Sequence, residues 1–530
     1  MKPLPLDPLK NSTLATAWQR WRAHLGAPRR LSELPSLPVP ARDVQTLSGP
    51  DAYRQTLLEL IAGAERRILI AALYLQDDDA GREVLAALYA AKKARPSLEI
   101  AVFVDWHRAQ RGLIGKAKSE GNAALYRTQA ERLGPGVTVY GVPVQRREFL
   151  GVLHLKGFVI DDQVLYSGAS LNDVYLQKHG RYRLDRYHLI RSAALADSLA
   201  ALLTDVFLAS PAVCPLDRAT RPQTAQLRPA ISEFRHELRR ARYILPDASA
   251  PRGADEVDIT PLLGLGLRRN ELNAVLLELV RRAKRRLILL TPYFNLPGPL
   301  RRALDRQIRA GCRITVVVGD KTANDFYIPP DEPYKTIGAL PYLYEANLRR
   351  FCQAHRRAIE RGQLEIRLWR HGNNTYHLKG LLVDDDYALI TGNNLNPRAW
   401  RLDLENALLI HDPQHLLADQ LRAEFEARLA DRGMRISALN ANGNQLHPVT
   451  GPQVNAVVRA TVELASLLEV PEQLRPDLLI AGDVSADFAD YRAEVEALID
   501  RLGMRSHVHF VGAQSRVDLA ALMRHAQALL

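Results

Sequence analysis

Cysteine is scarce in this chain of 530 residues, and the three present, Cys214, Cys312 and Cys352, are odd in number and never spaced CxxC. That pattern excludes a disulfide framework and a zinc site, and leaves buried or unreactive thiols. Also missing is any run of about 18 apolar residues, so no segment is expected to cross a bilayer as a helix. The opening MKPLPLDPLKNSTLATAWQRW lacks the apolar centre of a secretory signal. Neither HExxH spacing nor a carboxylate cluster that would supply a metal is found, and no metal or other cofactor is expected. These absences point to a cytoplasmic chain that spans no membrane.

Positive charge is in surplus. Lys and Arg number 71 against 59 Asp and Glu, a net charge of +12 with a pI near 9.6. Such a surplus suits an anionic membrane surface, or nucleic acid with the ribosome included. Apolar residues make up 47% and charged residues 25%, as in folded soluble chains, and the length calls for two or three domains.

Two stretches repeat one chemistry. HLKGFVID begins at His154 and HLKGLLVD at His377, so each reads HxKxxxxD, through Lys156 to Asp161 and through Lys379 to Asp384. Each continues into GxxLN, ending at Asn172 and Asn396. Residues two apart on an extended strand share a face, so each His and Lys project together. The apolar runs 158–160 and 381–383 are expected to continue as buried strands that hold each pair rigid.

In chain order, residues 1–45 read as a surface arm with a short amphipathic piece at 14–25. Residues 46–210 form a first domain, with a helix from Asp51, a strand at 67–75, a helix at 83–93 and a strand at 98–105. Residues 211–266 read as a linker, and 267–430 repeat the rhythm with helix 271–283, strand 286–291, helix 300–310 and strand 313–319. This is a βαβ pattern, and the repeating unit is a whole domain of about 200 residues. In the linker, Phe234, Leu238 and Tyr243 among Arg235, Arg239, Arg240 and Arg242 suit either a helix lying on anionic lipid or a solvated linker helix. GLGL at 264–267 is too short for a nucleotide loop. The segment 321–361 is an insertion whose Tyr327, Tyr334, Tyr342 and Tyr344 either line a pocket or pack the helix beneath them.

The doubled HxKxxxxD resembles the phospholipase D superfamily. The resemblance implies an α/β fold of two pseudo-twofold-related domains, each a mixed sheet flanked by helices, with the motifs meeting at one phosphate site. One imidazole would attack phosphorus to give a phosphohistidine and the other would act as acid and base. Lys156, Lys379, Asn172 and Asn396 would hold the phosphate oxygens. Each His needs a carboxylate on its other nitrogen. The candidates downstream are Asp185 for the first motif, and Glu405 or Asp403 for the second. Asp161 and Asp384 are expected to be structural. Residues alone do not say which His is attacked; the superfamily pattern implies His154 as nucleophile and His377 as acid.

Within the superfamily, GASLNDVYL, DRYHLIR, TPYFNLP, VVGDKTANDFYIP, NTYHLKG and TGNNLNPRAWRLDLENALLIHDP are similar to the soluble bacterial phosphatidylserine synthases. This implies CDP-diacylglycerol and L-serine as substrates, a phosphatidyl-histidine intermediate, and peripheral attachment to the inner face of the cell membrane. The alternatives are a cardiolipin synthase-like transferase or a phosphodiesterase, and, outside enzymes, an idle membrane-binding scaffold. Ala169 stands where many superfamily members have the Ser of GSxxN, and Asn393 and Asn394 replace it in the second copy. From about Asp431 the tail, 431–530, departs from the synthases and resembles part of the nucleotide-sugar half of a GT-B glycosyltransferase. It lacks that family's donor-binding acidic residues, so an α/β appendage without a transferase site is expected.

Overall fold

The computed structural model describes residues 34–112, 120–246, 253–329 and 340–429, with short pieces at 31, 332, 338, 435–438, 478–481, 496, 499–500, 505 and 508–512. The first half carries β1 (Leu37–Pro40), β2 (Val44–Thr46), β3 (Arg67–Ala71), β4 (Glu99–Asp105), β5 (Thr138–Val142), β6 (Gly157–Ile160), β7 (Gln163–Ser167), β8 (Arg183–Leu184), β9 (Tyr187–Arg191) and β10 (Cys214–Pro215). The second carries β11 (Glu256–Gly264), β12 (Arg286–Thr291), β13 (Arg313–Gly319), β14 (Leu364–Arg370), β15 (Thr375–Tyr376), β16 (Gly380–Val383), β17 (Tyr387–Thr391), β18 (Glu405–His411) and β19 (Arg435–Ala438). A separate parallel pair, β20 (Leu478–Ala481) and β21 (Val508–Gly512), lies in the tail.

One sheet has the order β10-β5-β4-β3-β6-β7-β9-β2 and the other β1-β11-β18-β17-β16-β12-β13-β14-β19. Each joins three parallel strands, β5-β4-β3 or β14-β13-β12, to an antiparallel meander, β6-β7-β9 or β16-β17-β18. The strand that follows each HxK therefore sits mid-sheet, where parallel meets antiparallel. Helices cover the faces, so β3 reads ILIA without alternation and is buried throughout after Arg67. The helix Asp79–Ala94 starts before the expected position 83 because the Asp78 carboxylate accepts from Gly81 N at 2.9 Å. Glycine is required there, since a Cβ on Gly81 would lie 1.8 Å from the Gln76 carbonyl oxygen.

The two sheets share a core. One apolar cluster runs from Ile68, Val102 and Phe158 of the first half to Ile390, Leu404 and Leu408 of the second. Such packing holds the halves together as one body rather than as hinged domains.

Several readings of the chain order are corrected. The end of the expected arm is structural: β1 pairs with β11 at the edge of the second sheet, and its Pro38 and Pro40 are tolerated because an edge strand has spare N–H positions. The expected linker is built into both sheets through β10 and β11. Its basic helix, Thr224–Leu238, turns its apolar stripe inward. Leu227, Ile231, Phe234 and Leu238 face the core, Phe234 meets Phe207 edge-on at 5.6 Å, and the Tyr243 hydroxyl accepts from Asn406 Nδ2 at 3.1 Å. The apolar stripe is used up inside the protein. After 431, β19 extends the second sheet beside β14. The amphipathic piece at 14–25, Tyr334 and most of the tail lie outside the described residues.

Candidate active site

The segments carrying His154–Lys156 and His377–Lys379 lead into β6 and β16 and face each other across the junction of the halves. All four side chains are buried. After each lysine a glycine takes a positive φ, +118° at Gly157 and +141° at Gly380, conformations that L side chains rarely adopt. A Cβ on Gly380 would also fall 2.3 Å from the Leu389 carbonyl oxygen. The halves then clasp through backbone: His154 N donates to Leu404 O at 2.9 Å, His377 N donates to Leu184 O at 2.8 Å, and β8 pairs with β15.

This clasp exchanges the carboxylates and corrects the expected pairing. His154 Nδ1 lies 2.9 Å from Glu405 Oε2, and His377 Nδ1 lies 3.2 Å from Asp185 Oδ2. Each histidine is served by the other half, because the residue beside each backbone clasp is the acid. Asp403 does other work. Its Oδ1 accepts from Val152 N at 3.0 Å and its Oδ2 from Arg398 Nε at 3.1 Å.

The lysines cross over as well. A Cβ on Gly168 would lie 2.6 Å from Lys379 Nζ, and one on Gly392 would lie 2.8 Å from Lys156 Cγ. The glycine of each GxxLN is thus the slot for the opposite lysine. Lys156 Nζ donates to Ser170 Oγ at 3.0 Å, so the serine displaced by one position by Ala169 still reaches the site. Lys379 Nζ donates to Asp185 Oδ2 at 2.6 Å. Asn172 and Asn396 each spend Oδ1 on a backbone N–H three residues on, Tyr175 at 3.0 Å and Ala399 at 2.9 Å. That orientation leaves each Nδ2 as the donor end. Asn393 instead ties its own loop, accepting from Leu395 N at 2.8 Å.

Asp161 and Asp384 lie at the far ends of β6 and β16. Each carboxylate accepts from three successive backbone amides, those of Glu65–Arg67 and Lys284–Arg286, and each residue sits at positive φ, +50° and +56°. Aspartate tolerates that conformation better than most residues.

The site is crowded with groups that want to be cationic. Burial, then Lys156 and Lys379, hold His154 well below its ordinary pKa. Burial, then Lys379, bring His377 down to about 4 against the pull of Asp185. Burial and then Lys379 bring Lys156 down to about 7. Glu405 is raised well above its ordinary value, by burial first and Asp403 second. Asp185 is pushed up by burial, but Lys379 and His377 outweigh this and leave it below the ordinary range. An anion entering between these groups relieves their mutual repulsion, which suits a phosphate or diphosphate.

Sequence reasoning missed the groups that make the halves unequal. Tyr175 places its hydroxyl 3.0 Å from His377 Nδ1, and the rings of Tyr175 and Tyr293 meet that imidazole edge-on at 5.6 and 6.1 Å. Tyr293 donates to Asp325, which Arg183 approaches at 3.6 Å while lying 4.9 Å over the Tyr175 ring. Asn406 grips Lys156 by the backbone, accepting from its N at 2.9 Å and donating to its O at 2.7 Å. Tyr175 and Arg183 stand in the motif-flanking stretches, but nothing in their spacing points at the other half's histidine. Of the insertion tyrosines, Tyr344 stacks on Tyr293 at 5.1 Å and Tyr342 lies under Lys321 at 4.7 Å. Tyr327 donates its backbone N–H to Asn324 O at 3.1 Å.

Two mixed sheets that each deliver an HxK pair into one buried, anion-seeking junction define a two-motif phospholipase D-like protein. Residues 276–429 match the family described as cardiolipin synthase, PLD-like domain. The CDP-diacylglycerol–serine O-phosphatidyltransferase of Escherichia coli is 52% identical over 399 residues, 75% of this chain and 88% of that protein. Its counterpart in Haemophilus influenzae is 48% identical over 75% of this chain and 88% of that protein. The crystal structure of the Haemophilus influenzae phosphatidylserine synthase matches with a TM-score of 0.76 at 42% identity, over 86% of this chain and 99% of that one. The chain belongs to the family of CDP-diacylglycerol–serine O-phosphatidyltransferases.

Proposed function

We infer that the chain transfers the phosphatidyl group of CDP-diacylglycerol to L-serine and releases phosphatidylserine and CMP, as the names of its relatives describe. The observation that carries the reading is the pair of buried histidines, each held at Nδ1 by the other half's carboxylate. With Nδ1 occupied, each Nε2 is the reacting nitrogen. His154, whose Nδ1 meets Glu405, attacks the lipid-side phosphorus; the new P–N bond forms as the bond to the CMP oxygen breaks. His377 carries the proton. Asp185 supports its imidazolium form, and the negative charge of the diphosphate raises its pKa from about 4. His377 gives the proton to the departing CMP and then takes one from the serine hydroxyl, whose oxygen displaces His154. Lys156, Lys379 and the amide nitrogens of Asn172 and Asn396 hold the non-bridging oxygens as charge spreads over them.

The lipid substrate places the work at a membrane surface. Among the described residues no helix is long and apolar enough to cross a membrane. The net charge of +12 supports peripheral docking on the anionic inner leaflet.

The test is CMP release from CDP-diacylglycerol in mixed micelles, with and without L-serine, for the parent, His154→Ala and His377→Ala. The expected result is a serine-dependent rate that drops by roughly a thousandfold or more in both variants. Release indifferent to serine but raised by glycerol lipids would transfer the reading to the cardiolipin type, and full activity in either variant would end the two-histidine mechanism.

A further inference from the structure

The halves repeat each other's catalytic parts, yet the substrates are not symmetric, so acceptor recognition must come from whatever breaks the repeat beside a histidine. Beside the second motif a small crevice lies at the C-terminal ends of β12, β13 and β14, lined by Tyr293, Lys321, Asn324, Tyr344 and Glu345 among others. Ligands of open α/β sheets favour this end of the strands. Tyr293 belongs to both places, since its ring walls the crevice and also meets the imidazole of His377. All but Tyr293 of these five residues come from the insertion at 321–361, after β13.

Inside the crevice lies a charge pair. Lys321 Nζ is 3.1 Å from Glu345 Oε2, with side chains only 10% and 7% exposed. A buried pair of this kind is a weak source of stability, because desolvation cancels much of the attraction. It is well suited to another task. A zwitterion can insert by giving its ammonium to the carboxylate and its carboxylate to the ammonium, leaving every charge paired. A neutral alcohol gains nothing from the pair, and an anion would meet the negative charge of Glu345. Asn324 spends Oδ1 on Phe326 N at 2.9 Å, so its Nδ2 is a further donor for a carboxylate.

We propose that this crevice is the acceptor subsite, in which Glu345 holds the α-ammonium and Lys321, with Asn324, holds the α-carboxylate of L-serine, so that the hydroxyl is presented to His377. The proposal rests on the transferase reading above, and it names the feature that would separate a serine acceptor from glycerol phosphates.

Two measurements test it on the full-length enzyme. Exchange of labelled CMP into CDP-diacylglycerol, run without acceptor, reports formation of the phosphatidyl-histidine alone; transfer at varied L-serine reports the acceptor. Lys321→Met and Glu345→Gln should keep exchange near the parent rate while raising KM for serine roughly ten- to hundredfold, the loss of one charge-assisted bond. Variants that lose exchange but keep KM for serine would overturn the proposal and make the crevice a nucleotide site. The parent enzyme gives an independent reading through ethanolamine, which lacks the carboxylate, and 3-hydroxypropionate, which lacks the ammonium. Each should be at least about tenfold weaker than serine, and in Lys321→Met the gap between serine and ethanolamine should close. Either analogue matching serine in the parent would refute the subsite even if both variants failed to fold. Absence of exchange in the parent would instead remove the transferase reading itself.

Discussion

At the scale of the residue, the crossed pairs make a specific demand on mutants. Glu405 should couple to His154 and Asp185 to His377, not the reverse. Glu405→Gln is expected to slow CMP exchange, and adding it to His154→Ala should cost nothing further, whereas adding Asp185→Asn to His377→Ala should be the silent combination. Full additivity in either cycle would contradict the geometry. The pKa of His377 gives a second test. Its folded value of about 4 lies below its ordinary 6.5. Between those values the unfolded chain binds a proton that the folded site refuses. Stability should therefore fall as pH drops from about 6.5 to 4, by up to about 1.4 kcal/mol per pH unit from this group, and His377→Gln should flatten that slope in urea titrations. How much of the site could be read beforehand divides along the same line. The histidines, lysines and asparagines are legible because they recur at fixed spacing. The acid partners are legible as residues but not as pairs, since proximity in sequence favours Asp185 with His154, and only the docking of two sheets reverses it. Tyr175 and Asn406 carry no periodic signal at all.

At the scale of the element, the strands after HxK are rigid because both ends are tied. The near ends turn on Gly157 and Gly380; the far ends are pinned by Asp161 and Asp384, each collecting three backbone amides. Asp384→Ala should lower unfolding stability by about 1–3 kcal/mol, read from the urea midpoint, while leaving KM for serine unchanged at a temperature where the variant is folded. A large change in KM would mean that the aspartate acts on the site directly. The βαβ rhythm was visible because parallel strands are continuous apolar runs and their helices are amphipathic. What escaped was short or atypical: β1, with two prolines in four residues, and β11, whose ITPLLG carries a proline in mid-strand.

At the scale of the whole molecule, charge and core act separately. Binding to vesicles should increase with the fraction of anionic lipid and weaken as salt rises from about 50 to 500 mM, because screening shortens the reach of exposed arginines. Binding that ignores lipid charge would remove the electrostatic account of docking. The core meanwhile runs across the junction of the halves. The first edge strand, β1, belongs to the second sheet, and both sheets donate to one apolar cluster. Timing follows from this during synthesis. A growing chain that has passed Asp161 already owns one complete motif, but the acid that orients its histidine is Glu405, far downstream, and β1 has no neighbour until β11 appears. The nascent protein is therefore harmless to the lipids around it for most of its translation, and gains the ability to break a diphosphate bond only when nearly all of its two sheets has been made.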